Sequence, residues 1–180
     1  KRVMEQRVGE FEKVSFEQFC SAMKDTFYND QELPEAIISD LREMWDGIQL
    51  PNRATTGSAG YDFKSPFSFT LEPGATIKIP TGIRARIEDG WFLACFPRSG
   101  LGFKYRLQLD CTVGIIDADY VLSDNEGHIF AKITNDGHEG KPLLVKCGDG
   151  FMQGIFLPFG ITYYDRADGV RNGGFGSTGR

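Results

Sequence analysis

The sequence predicts an all-β domain of the sandwich or jelly-roll kind, preceded by a short helical appendage and followed by an arm. Three observations carry this. Short apolar segments of strand length, such as GWFLACF (90–96) and GHIFAKIT (127–134), recur along the chain. Turn formers separate them: EPG at 72–74, EDG at 88–90, SDNEG at 123–127, NDGHEG at 135–140 and CGDG at 147–150. The 22 glycines and 15 phenylalanines suit tight turns between aromatic-rich strands.

Taken in order, VGEFEKV (8–14) alternates loosely and reads as a first strand. SFEQFCSAMKDTF reads as a helix, with Ser15 and Gln18 as a capping box and Phe16, Phe19, Met23 and Phe27 at helical spacing. PEAIISDLREMW is a second helix. Pro34 suits its first turn, Ile37, Ile38, Leu41, Met44 and Trp45 form its apolar stripe, and Gly47 stops it. The texture changes near residue 48. TIKIPTGIRARI (76–87), GWFLACF, GHIFAKIT and QGIFLPFGIT (153–162) are then the principal strand-like segments. From about Asp165 no core-forming periodicity remains. The expected organisation is a strand and helical segment over 1–49, a β domain over 50–164 and an arm over 165–180.

Bulk properties narrow the function. A net charge of −5 and the lack of a Lys/Arg run argue against tracking a nucleic-acid backbone, although a single nucleotide needs only a few cations. Cys20, Cys95, Cys111 and Cys147 are scattered, and with His128 and His138 they match no standard zinc spacing. Reduced thiols in the cytosol are the simpler reading. No stretch is long and apolar enough for a membrane span, and KRVMEQRVGEFEK is too charged for a signal peptide. A soluble cytoplasmic protein with no membrane partner is expected.

Four stretches carry polar chemistry that strands and plain turns do not require: SAGYD (58–62), PRSGLG (97–102), VGIIDADY (113–120) and VRNGGFGSTGR at the end. Glycines let backbone N–H groups approach an anion, hydroxyls add donors, and arginine adds a bidentate fork. Two such grips, PRSG and GGFGSTG, suit a polyphosphate. Aspartates beside phosphates call for a divalent metal between them, or for a base acting on an attacking water. Each stretch also has a plainer reading. Asp62 can cap a turn, Arg98 can be a structural ion-pair partner, the IIDADY carboxylates can face solvent, and the glycine-rich end can be a simple tail. GGFGSTGR is a poor P-loop, because Arg180 replaces the lysine and no helix follows.

In this order and spacing, SAGYD, PRSGLG, GIIDADY, GDGFMQGIF and RNGGFGSTG resemble the five motifs of the trimeric dUTPases, over about Leu50 to Arg180. The resemblance implies a jelly-roll-like β domain (a β-clip), a homotrimer, and hydrolysis of dUTP to dUMP and pyrophosphate with Mg2+. It makes Asp117 the residue that activates the water attacking the α-phosphate. Tyr120 would pack against the deoxyribose and leave no room for a 2′-hydroxyl. The segment 109–114, with Cys111, Gly114 and the following Ile115 and Ile116, would read the uracil edge. Arg98, Ser99, Gly100 and Gln153 would serve the phosphates. Asp62 would act through waters around the metal or by buttressing Arg98. On the arm, Phe175 would cover the uracil, while Arg171, Gly176, Ser177 and Thr178 close on the β- and γ-phosphates of a neighbouring subunit's site.

Two departures stand out. Gly150 occupies the place of an arginine usual after GD, so its role would be lost or taken by a neighbour such as Arg84, Arg86 or Lys146. The 121–134 loop is longer than the resemblance leads one to expect, and the usual glycine after the tyrosine is missing. The 1–49 segment lies outside the pattern and reads as packing or as a docking surface for a protein partner. A nucleotide-binding regulator using those helices is therefore the alternative function. A dCTP deaminase would want a carboxylate in IFAKITN, which has none.

Overall fold

The structure is a computed structural model that describes residues 6–171, and among these it contains eleven strands and three α-helices. The strands are β1 (Gly9–Lys13), β2 (Tyr61–Lys64), β3 (Phe69–Leu71), β4 (Thr76–Pro80), β5 (Ile83–Ile87) and β6 (Trp91–Pro97). They continue with β7 (Leu107–Leu109), β8 (Gly114–Ile116), β9 (Phe130–Asn135), β10 (Leu143–Val145) and β11 (Gly150–Pro158). The helices are α1 (Phe16–Phe27), α2 (Glu35–Asp46) and α3 (Ser99–Tyr105), and a 3-10 turn spans Ala118–Leu122. All pairings are antiparallel: a four-stranded sheet β2-β11-β6-β8, a three-stranded sheet β4-β9-β7, and the pairs β1-β5 and β3-β10.

Side-chain patterns explain the layers. In β9, Ala131, Ile133 and Asn135 are buried while Lys132 points out, the period-2 signature of a strand with one wet face. In β6, three successive residues, Leu93, Ala94 and Cys95, are buried, so both faces of this central strand are covered there. Phe63, Ile79, Leu93, Ile133 and Phe151 anchor the main core. The single segment TIKIPTGIRARI breaks into β4 and β5 at Thr81 and Gly82. Gly82 has φ +72°, and a Cβ there would stand 2.3 Å from Ile48 Cδ1, so only glycine makes this turn. Likewise QGIFLPFGIT stops being strand at Pro158.

The helical segment forms as the periodicity predicts, with a second small core of Val14, Phe16, Phe19, Met23 and Leu41. Ile38 of the expected stripe is exposed instead. Pro34 occupies the cap position, one residue ahead of the first turn. Only half of the capping box is made: Ser15 Oγ accepts from the Gln18 N–H at 3.1 Å. The Ser15 N–H donates instead to Glu126 Oε2 at 2.8 Å, across more than a hundred residues of sequence.

Candidate functional site

The sequence motifs fall into two cavities. The larger, of about 590 Å³, is lined by Asp62, Arg98, Ser99, Gly100, Lys104 and Gln153 among others. Sheet register brings these together. β11 lies between β2 and β6, so Gln153 stands opposite Asp62 on one side and Phe96 on the other. Arg98 follows at the end of β6, and PRSGLG, read from sequence as an irregular glycine-rich grip, continues as the short helix α3. Arg106 closes that helix in a left-handed conformation, with φ +46°.

Within this cavity Arg98 Nε pairs with Asp62 Oδ1 at 3.1 Å, and Arg98 Nη1 donates to the Gly150 carbonyl at 3.1 Å. Gln153 Nε2 donates to the Pro97 carbonyl at 3.2 Å, which holds its carboxamide beside the strand end. The cation beside Gly150 is therefore Arg98. Arg84 and Arg86, named as stand-ins for the missing arginine, are engaged elsewhere: both pair with Glu12, at 2.8 and 2.9 Å. Lys146 is exposed, and its backbone N–H is held by Asp149 Oδ2 at 2.9 Å.

The second cavity, of about 320 Å³, shares no lining residue with the first. Cys111, Gly114, Ile115, Ile116, Asp117 and Tyr120 all line it, joined by Lys132 and Arg171. Its rim is the hairpin between β7 and β8. The Thr112 N–H donates to the Leu109 carbonyl and the Val113 N–H to the Cys111 carbonyl, both at 2.8 Å. Thr112 sits at φ +67°, a costly conformation for a β-branched residue and the kind of strain that collects at binding sites. Asp110 braces the hairpin from outside, accepting from Thr134 Oγ1 at 2.6 Å and pairing with Lys132 at 3.4 Å. Burial pushes the Cys95 thiol beneath it up to about 12, so this sulfur is an inert apolar floor.

Tyr120 is buried to 4% exposure and tethered: its hydroxyl donates to the His128 carbonyl at 2.7 Å and accepts from Asn125 Nδ2 at 2.9 Å. Burial raises the phenol's pKa, which keeps it protonated as a donor. Asp117, half exposed, precedes this residue and pairs with Arg171 Nη2, while Arg171 Nε reaches Asp119 Oδ1 at 2.8 Å. The Arg171 guanidinium also lies 5.9 Å from the Tyr120 ring centroid. Thus Arg171 stands with Asp117 and away from Ser99. Phe175, Gly176, Ser177 and Thr178 lie outside the described residues.

The motifs thus occupy strand ends and hairpins of a β domain in the order SAGYD, PRSGLG, GIIDADY, GDGFMQGIF. The family model described as dUTPase matches residues 46–179 of this chain. The chain belongs to the dUTPase family. Among its dUTPase relatives, the deoxyuridine 5'-triphosphate nucleotidohydrolase of Lactococcus lactis subsp. lactis (strain IL1403) is 39% identical over 136 residues, 74% of this chain and 89% of that one. The nucleotidohydrolase of the same name from Desulfitobacterium hafniense (strain DSM 10664 / DCB-2) is 42% identical over 139 residues, 73% of this chain and 87% of that one. The dUTPase from Streptococcus mutans superposes with a TM-score of 0.56 at 38% identity, over 63% of this chain and 88% of its own. A dUTPase variant from phage phi11 of S. aureus, described with a structural Mg(II) ion, shares the fold at a TM-score of 0.54 and 21% identity, over 67% and 90% of the two chains.

The jelly-roll-like β class expected of a dUTPase agrees with these neighbours. Sequence reasoning missed Lys104 and Lys132, which add a second cation to each cavity beside Arg98 and Arg171. Lys104 follows Gly100 at helical spacing, a relation visible only once α3 is known. Among the described residues no helix is long and apolar enough to cross a membrane.

Proposed function

We propose that this chain hydrolyses dUTP to dUMP and pyrophosphate in a site completed between copies of itself. One observation carries the reading: the phosphate-type residues and the base-and-sugar residues occupy separate cavities of the same chain. Each cavity is half of what a nucleoside triphosphate needs. The chain leading into the arm supports association, because residues 157–170 are exposed throughout and include Phe159, Ile161, Tyr163 and Tyr164. Apolar side chains displayed in a row without a core of their own suit a partner surface. A homotrimer is the assembly proposed.

In this mechanism the 109–114 hairpin presents backbone groups to the uracil edge, and Tyr120 closes the sugar position against a 2′-hydroxyl. Its tether makes that wall rigid, which is what discrimination by exclusion requires. Ser99, Arg98 and the first amides of α3, with Gln153, receive phosphate oxygens. Asp117 orients a water in line with the α-phosphorus and takes its proton. Arg171 neutralises Asp117 in the single chain, so the guanidinium must leave this carboxylate before it can act. Release would send Arg171, with Phe175, Gly176, Ser177 and Thr178, to the bound nucleotide.

Magnesium fits the donor set in the manner usual for nucleotide sites, through substrate phosphates and waters. Among the described residues no group of three His, Cys, Asp or Glu could hold an ion unaided. Asp62, already paired with Arg98, would orient the ion's waters. The ion when bound supplies neutralisation of phosphate charge.

Turnover measured on dUTP, dCTP, dTTP and UTP with magnesium tests this reading. Release of pyrophosphate from dUTP, with the other three much slower, is expected. Binding of dUTP without hydrolysis would sink it and favour the regulator. Cytoplasmic residence is part of the same proposal.

A further inference from the structure

The family match begins at residue 46, so β1, α1 and all but the last residue of α2 lie outside it. The 121–128 part of the loop after Tyr120 lies inside it. The segment outside the match grips this loop. The Glu126 carboxylate accepts from the Ser15 N–H at 2.8 Å and from Ser15 Oγ at 2.5 Å, capping the start of α1 from the loop side. One turn along, the Gln18 carboxamide lies 3.4 Å from His128 Nδ1. His128 is fully buried, and its Nε2 accepts from the Gly82 N–H at 2.8 Å. The same residue's carbonyl receives the Tyr120 hydroxyl, and Asn125 of the same loop donates to it. Glu126 itself holds φ +61°, and a Cβ on Gly127 would strike Val121 Cα at 2.6 Å, so the loop is wound tightly over the residues that follow Tyr120.

We infer that the N-terminal helical segment is a positioning element of the catalytic site: α1, through Ser15 and Gln18, clamps the Glu126–His128 loop and thereby fixes Tyr120 in the wall of the second cavity. The inference rests on the proposed function for the role of Tyr120 as a sugar wall, but the clamp itself is independent of it. Charge-assisted hydrogen bonds to a helix start are strong and directional, so the loop inherits the rigidity of the helix. Ser15 and Gln18 position; they touch no substrate.

The test uses the full chain with Glu126→Ala, Glu126→Gln and Gln18→Ala. Two readouts are taken: backbone hydrogen exchange in Ala118–Leu122, and the ratio of kcat/KM for dUTP over UTP. Glu126→Ala is expected to speed exchange of the Tyr120 amide about tenfold with β6 and β11 unchanged, and to lower the dUTP preference by about the same factor. Gln18→Ala, which cuts the second link, moves both readouts in the same direction and serves if Glu126→Ala does not fold. Glu126→Gln keeps an acceptor for the Ser15 N–H but loses the charge and the pairing with Arg84 Nη1 at 3.8 Å, so both readouts should fall between those of wild type and Glu126→Ala. A lowered melting temperature with unchanged exchange in Ala118–Leu122 overturns the inference, as does faster exchange with undiminished dUTP preference. Should the wild-type chain hydrolyse no dUTP, the functional reading fails, and the exchange measurement alone decides the clamp.

Discussion

The guanidinium of Arg98 lies against the bare α-carbon of Gly150. A Cβ at that position would stand 2.8 Å from Arg98 Nη1, the same nitrogen that donates to the Gly150 carbonyl. Gly150 thus leaves room in the fourth motif for the arginine of the second. Its other face is held by Asp62, so the charge is aimed from two sides.

Gly150→Ala follows from this contact. The clash is with the far end of a flexible side chain, so the fold should tolerate it, with a stability change below about 1 kcal/mol. The guanidinium, however, must shift at Nη1, away from its present bond to the Gly150 carbonyl. We expect kcat/KM for dUTP to fall about tenfold or more through the loss of an aimed charge. Melting temperature and steady-state kinetics measured together check this. An unchanged kcat/KM would show that Arg98 does not serve the phosphates.

Asp117→Asn removes the proposed base while keeping its shape. Turnover should drop by about two orders of magnitude or more, with dUTP binding retained. Single-turnover kinetics and titration of dUTP separate the two quantities. Substantial residual turnover would remove Asp117 from the mechanism.

Stability should fall in mild acid because of His128. Burial is the main cause, with Lys78 adding to it, and together they push the imidazole down to about 3 in the folded chain from an ordinary 6.5. The unfolded chain binds this proton at a higher pH than the folded one. Stability is therefore full above about pH 6.5 and is lost progressively as pH falls from there toward 3. The single-site loss between pH 7 and 5 is about 2 kcal/mol. Denaturant midpoints measured across that window, for wild type and His128→Asn, check it: the variant should lose the His128 share of the slope.

Removing residues 171–180 should abolish turnover while leaving the fold intact. The preceding residues, 157–170, are exposed, and the Arg171 guanidinium pairs with the half-exposed Asp117 and Asp119. Far-UV circular dichroism and dUTP turnover check both halves. Sedimentation of the intact chain should give about three times 20.1 kDa if the proposed trimer forms.

Much of the fold is legible along the chain because local rules act locally. The helices appear where Phe16, Phe19 and Met23 recur at 3.6-residue spacing, and β9 where Ala131 and Ile133 alternate with Lys132. Other elements were not legible. Gly100 and Gly102 argue against a helix in PRSGLGFKY, yet α3 forms between the end of β6 and the left-handed stop at Arg106. TIKIPTGIRARI reads as one strand, yet the chain turns at Gly82, where Ile48, thirty-four residues away, fills the space a side chain would need.

The sequence by itself determined the family, the β class and the identity of the chemical groups, since motifs are strings of residue types and these are complete in one dimension. Tertiary structure alone decided their partners. That Asp62 meets Arg98, that Arg171 meets Asp117, and that Ser15 is capped by Glu126 follow from strand register and loop closure. Such contacts join residues tens to more than a hundred positions apart. No local propensity encodes them, because they exist only once the buried core has chosen one arrangement of the sheets.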